Sequence, residues 1–255
     1  MGASPTLARR ILGSLIALLV FGMVSSVGGT TAEASYYTCD TPAANHQAGF
    51  STNNWVGSTQ PYLYEGVSAT MSIEFGNLCS TDTNGGVNFS TAWNMVFGSS
   101  GGYVQSGTML RASTSTCWQF WSEQDPGNGT FTDWYLGCAA QHSTHKVWQQ
   151  TVLINDAWRL RSNIDSTIVH QSNFSPFSNW NAPFHVAFSG ETYHTSSDVP
   201  GYAAAPTAHS NMQVQLLSNN TWVGTCGNVY LGRYLSPRYS ADAPACDYVR
   251  VWTSG

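Results

Sequence analysis

Charge is what this chain most lacks. Only 9% of its 255 residues are Asp, Glu, Lys or Arg, against roughly 25% in ordinary soluble proteins, and Lys146 is the single lysine. Heptads studded with ion pairs and charge-rich disordered tails are excluded by that scarcity. A net charge of −5 offers no basic footprint, so nucleic acid and anionic lipid are excluded as partners. Helical hydrophobic periodicity is missing almost throughout, and no Ser-, Gly- or Pro-rich run divides residues 35–255. No Cys-x-x-Cys pair points to structural zinc.

What is present in quantity is aromatic surface: 13% Phe, Trp and Tyr, with 10 Trp and 12 Tyr. That supplies the apolar area for a large core. The first 34 residues read as an export signal. Arg9 and Arg10 form its positive start, residues 11–24 an apolar run too short for a good membrane span, and Ala32-Glu33-Ala34 a small-x-small cleavage site. Cleavage is expected after Ala34, the alternative being an uncleaved anchor. It leaves an acidic, extracellular domain of residues 35–255 with seven basic and thirteen acidic residues and no membrane segment.

All six cysteines lie beyond that point, and an even number in an exported chain implies disulfides. Six cysteines permit fifteen pairings; nearest neighbours give Cys39–Cys79, Cys117–Cys138 and Cys226–Cys246. In Val67 to Phe75 apolar residues take every second position, placing Val67, Ala69, Met71, Ile73 and Phe75 on one strand face. Similar strands are expected over residues 90–97, 103–111, 118–123, 130–137, 146–154, 157–164, 183–190, 212–217 and 248–252. Asn84-Gly85-Gly86, Gly98 to Gly102, Pro126 to Gly129 and Pro200-Gly201 supply turn chemistry between them. The pattern predicts one all-β domain, a single antiparallel two-sheet sandwich of concanavalin-like or jelly-roll-like type stapled by disulfides and monomeric. Phe174 to Pro183 reads as an aromatic loop that either lines a groove or packs over the sheet.

Beyond the signal there are four glutamates. Glu65 and Glu74 read as solvent-facing, with Glu123 beside an aromatic segment. Glu191 ends the apolar run Phe184 to Gly190, where partial desolvation would raise its pKa toward the range of general acid–base work. A structural, hydrogen-bonding role is the competing reading. Gln105 carries a neutral amide of the kind that stabilises an oxyanion. His142 and His145 have a spacing that would share a helix face, but they follow a turn and read as a connection, not a metal site.

These residues carry a resemblance. Asn54-Trp55-Val56-Gly57, Val67-Ser68-Ala69-Thr70-Met71, Ala92-Trp93-Asn94-Met95-Val96-Phe97-Gly98, Val104-Gln105-Ser106-Gly107 and Trp118-Gln119-Phe120-Trp121 follow the order and approximate spacing of motifs in the eqolisin glutamic peptidases. Ser189-Gly190-Glu191 followed by His194 to Gly201 resembles the neprosin family. Phe97-Gly98 stands where eqolisins carry a turn aspartate, and Gln119 or Phe120 replaces the glutamate of their aromatic motif. The resemblance implies a divergent bacterial, secreted β-sandwich that hydrolyses peptide bonds at acid pH with a Gln105/Glu191 dyad. Trp93, Trp118 and Trp121 would wall the cleft, a polypeptide would be the substrate, and no metal or cofactor would be needed. The main rival is a non-catalytic, lectin-like sandwich that binds polysaccharide through exposed aromatics. A glycosidase ranks below it, for want of a Glu-x-Asp-x-x-Glu strand, and a purely structural extracellular protein fits the same composition.

Overall fold

The computed structural model describes residue 39 and residues 45–53, 63–79, 88–111, 116–125, 130–172, 184–194 and 196–254. The export signal, the Asn54–Gly57 motif, the Asn84–Gly86 and Pro126–Gly129 turns and the Phe174–Pro183 loop lie outside the described residues.

Among the described residues sixteen strands are present and no helix occurs. In chain order they are β1 (His46–Ser51), β2 (Tyr64–Ser72), β3 (Phe89–Gly98), β4 (Tyr103–Arg111), β5 (Thr116–Asp125), β6 (Thr130–Tyr135), β7 (Thr144–Ile154) and β8 (Ala157–Ile164). There follow β9 (Thr167–Gln171), β10 (Phe184–Thr192), β11 (Gly201–Tyr202), β12 (Ala205–Leu216), β13 (Trp222–Gly224), β14 (Gly232–Leu235), β15 (Tyr239–Ala245) and β16 (Tyr248–Thr253). A seven-stranded antiparallel sheet runs β14-β1-β10-β3-β4-β5-β6. A nine-stranded sheet runs β15-β16-β11-β12-β2-β7-β8-β9, with β13 beside β12 and a single parallel pairing, β11 with β16. The protein is an all-β, jelly-roll-like sandwich, and its cysteines pair as Cys39–Cys79, Cys117–Cys138 and Cys226–Cys246.

Local chemistry accounts for the hairpins. β7 and β8 are joined by Asn155-Asp156, both at positive φ (49° and 60°), the mirror-image turn whose twist matches the flanking strands and which Asn and Asp tolerate. Alternation then assigns the faces. Val67 and Ala69 of β2 and Val249 and Val251 of β16 turn inward against Ala48, Val96, Val104, Val186 and Phe188 of the other sheet, and Met71 of β2 and Val147 of β7 pack with Ala92 of β3. The β2 ladder spans residues 64–72 and ends before Ile73, whose backbone bonds to the turn ahead of β7 instead.

The same alternation overturns one expectation. Glu65 lies two residues before Val67 and so falls on the inward face, where it is 1% exposed rather than solvated. Glu74 stays near the surface and pairs with His142 at 2.9 Å. His145 takes Asp165 at 2.9 Å, so the two histidines serve different carboxylates.

Polar groups tie the two sheets together. The fully buried Asn94 of β3 donates through Nδ2 to the Val147 carbonyl at 3.0 Å, and His209 Nδ1 of β12 donates to its Oδ1 at 2.9 Å. Gln149 of β7 donates to the Ser106 hydroxyl of β4. Burial holds His209 neutral and pushes its pKa down to about 3, against an opposing backbone bond at Ser189. Its folded pKa is depressed, so unfolding takes up a proton below the ordinary histidine value. This contribution to stability is therefore lost as pH falls from about 6.5 toward 3. Replacing Asn94 by Ala strands both the Val147 carbonyl and the His209 ring and should cost about 2 to 4 kcal/mol. Urea denaturation at pH 7 checks this; an unchanged midpoint contradicts it.

Candidate functional site

The outward face of the seven-stranded sheet is not a plain solvated surface. Trp93, Met109, Phe120 and Ala187 form a buried apolar cluster there, with Phe89, Met95, Phe97 and Tyr135 packed against it. In this cluster lies a cavity of about 360 Å³ whose lining includes both Gln105 and Glu191.

Strand register explains how residues so distant in sequence meet. Glu191 of β10 stands opposite Thr91 of β3, and Thr91 opposite Met109 of β4. Gln105 occupies the same face of β4, four residues before Met109, beside Ser122 of β5. Between these two rows runs a third, Ser189–Trp93–Gly107–Phe120. At Gly107 strands β3 and β4 approach so closely that a Cβ would run into the Ala92 carbonyl. Only glycine fits, and the space over β4 between Gln105 and Met109 carries no side chain.

Glu191 is 6% exposed. Its Oε2 accepts a hydrogen bond from the Trp93 indole at 2.8 Å, and Gln47 of β1 is a second partner. Burial raises its pKa above the ordinary glutamate range; the Trp93 and Gln47 bonds pull the other way and do not cancel it. Tyr234 of β14 lies near enough for the Glu191 charge to act on it. Burial raises that phenol's pKa, a bond with Ser189 opposes the shift, and Glu191 adds to it. Gln105 donates through Nε2 to the Ser122 hydroxyl at 2.8 Å. The amide and the acid thus share one face and one cavity, each held by its own partner and not by the other.

None of the three tryptophans expected to wall the cleft is among the described residues that line this cavity. Trp93 is the hydrogen-bond anchor of Glu191, and Trp118 sits on the same face against Tyr135, centroids 5.8 Å apart. Trp121 points the other way. One residue out of phase with Phe120, it faces the nine-stranded sheet and stacks on His170, which pairs with Glu123 at 2.7 Å. Sequence reading missed Gln47, Ser122, Tyr234 and Arg111, whose guanidinium lies 4.1 Å from the Tyr135 ring centre at this cavity. Each reaches the site through cross-strand pairing, which linear spacing does not encode. Two groups of three metal-ligating residue types occur among the described residues, Cys39/Cys79/His194 and Cys226/Cys246/Asp247. In both, the sulfurs are spent on a disulfide.

No family model matches the chain, and no curated protein matches it. Solved structures similar to it include a glycoside hydrolase family 16 endo-glucanase from Bacteroides ovatus, 12% identical over 60% of this chain and 68% of that one, with a TM-score of 0.34. LamAcat from Zobellia galactanivorans is 10% identical over 82% of this chain and 77% of that one, also with a TM-score of 0.34. Likeness of that degree carries no argument about activity.

The raised pKa of Glu191 has a consequence for stability. The protonated form favours the fold, so its contribution is complete below the ordinary glutamate value and is lost as pH rises through the raised one. Glu191→Gln keeps an acceptor for Trp93 and removes the ionisation. Its stability relative to the unmodified protein should therefore improve as pH rises above the ordinary glutamate value, as read from urea midpoints. A difference independent of pH contradicts the assignment.

Proposed function

We propose that this exported protein is an acid-active hydrolase of peptide bonds, with Glu191 as its proton-transfer group and Gln105 as its neutral donor. The observation that carries the reading is the placement of a buried carboxyl with a raised pKa and a carboxamide on one sheet face, opening into one cavity. It agrees with the resemblance of the motif order to eqolisins and neprosins.

In this scheme a peptide carbonyl lies in the cavity between the two groups. Ionised Glu191 takes a proton from water as the water oxygen bonds to the carbonyl carbon, and the raised pKa makes it a stronger base than an ordinary carboxylate. The Gln105 Nε2 group donates to the oxygen that gains negative charge, without itself carrying charge into a site of low polarity. Protonated Glu191 then gives its proton to the departing nitrogen as the carbon–nitrogen bond breaks. Trp93 and Gln47 hold the carboxyl in place, and Ser122 orients the Gln105 amide.

One observation favours a second reading. Phe89, Tyr103, Phe120, Tyr135 and Tyr193 line the same cavity, and aromatic faces of this kind stack on sugar rings. Glycoside hydrolysis needs a second carboxyl about 5 to 10 Å from the first, whereas Glu191 is the only carboxyl among the described lining residues. The carbohydrate reading is therefore one of binding, with polysaccharide in place of polypeptide.

Cleavage of an unfolded protein substrate across pH 2–7 separates the two. The peptidase reading predicts cleavage within this range with a low-pH limb set by protonation of Glu191, reduced about 10² to 10⁴-fold in Glu191→Gln and about 10² to 10³-fold in Gln105→Leu. Retention on a polysaccharide with no cleavage by either form supports the binding module and overturns the peptidase.

A further inference from the structure

A second buried carboxyl stands apart from this machinery. Glu65 is the second residue of β2, and its backbone carbonyl accepts a hydrogen bond from the Thr151 hydroxyl of β7 at 2.8 Å. Its side chain, 1% exposed, has both carboxyl oxygens buried with no hydrogen-bond partner. It lines a cavity of about 240 Å³ with Trp158 of β8, Leu217 and the polar turn Ser218-Asn219-Asn220, and none of these residues lines the cavity of Glu191.

A buried carboxyl with two unused acceptors is costly to any fold unless a donor arrives from elsewhere. The described lining contains no cationic side chain to supply one. The turn is already engaged: the Asn219 side-chain oxygen accepts from the Thr221 backbone at 3.1 Å, and the Asn220 carbonyl accepts from Gln215 at 3.3 Å.

We propose that this cavity is a binding site for an alkylguanidinium group. Once the buried Glu65 carboxyl turns into the cavity, two parallel N–H donors on one planar cation satisfy both its oxygens at once, which a compact ammonium does less well. Trp158 and Leu217 in the lining supply aromatic and apolar surface to the cation and its methylene stem. Burial pushes the Glu65 carboxyl up to about 7, so at pH 8 the anion is available. The site does not rest on the reading of Glu191, and it operates whether the protein cleaves peptides or binds polysaccharide.

Nuclear magnetic resonance titration at pH 8 tests it with two probes, butylguanidinium and acetyl-Gly-Arg-Gly-amide, each compared with its neutral ureido counterpart. The expected result is saturable one-to-one binding that moves the Trp158 indole and Leu217 amide signals, with the ureido compounds at least tenfold weaker. Glu65→Gln should weaken binding at least tenfold. Leu217→Arg, which supplies a tethered guanidinium to the cavity, should abolish it without removing the Glu65 side chain. Tighter binding of the peptide identifies an arginine residue of a polypeptide as the natural source; equal binding identifies a small free guanidine. Absence of saturation in the unmodified protein, or unchanged binding in Leu217→Arg or in folded Glu65→Gln, overturns the proposal.

Discussion

The hydrogen bond from the Trp93 indole to Glu191 is the contact on which the rest of the candidate site depends. It fixes a carboxyl away from water on the outer face of a β-sheet, where the side chain would otherwise swing into solvent and titrate like any glutamate. The bond stabilises the ionised form, while the surrounding burial favours the neutral one, and burial dominates. The result is a group that keeps its proton above the pH at which a free glutamate releases it. With Gln47, the indole holds the carboxyl at the cavity that Gln105 also lines.

That arrangement needs a stiff platform, and the sandwich provides one by unusual means. Its interior is apolar at the centre, but Asn94, His209, Gln149 and Ser106 bind sheet to sheet through side-chain hydrogen bonds. A buried amide pairs in few ways, so such contacts fix the offset between the sheets more tightly than packing of Val and Ala alone. Asn94 is the residue after Trp93. The strand that anchors the catalytic candidate on its outer face is thus held from the inner face one position along. Packing, polar satisfaction and the placement of Glu191 converge on two adjacent residues of β3.

Much of this was legible in the sequence, and what was missed has a pattern. Alternation revealed the long strands, with β4 and β8 matching their expected bounds, because half-buried strands write their two faces into every second residue. The disulfide pairs followed from proximity along the chain. Short strands with mixed patterns, such as β1 and β14, left no comparable trace, yet they bring Gln47 and Tyr234 to Glu191. Trp121 was misplaced because a motif was read as a unit, although alternation sends it and Phe120 to opposite faces. Glu65 was misread because its charge was given more weight than its phase with Val67. Those two errors had a remedy in the sequence itself. The alignment of Gln105 with Ser122, and of Glu191 with Thr91, did not, since register between distant strands is a property of the assembled sheet.

The account stands on the protonation state of one side chain. Carbon-13 labelling of the glutamate carboxyls, with Glu191 assigned by substitution, reads it directly through the carboxyl chemical shift as pH is raised. The account predicts that Glu191 stays protonated well above the range in which a free glutamate ionises, and that Trp93→Phe, which removes the indole donor, moves its titration higher still. A Glu191 carboxyl that ionises at or below the ordinary glutamate value would show a solvated surface acid, and the hydrolytic site built upon it would fall.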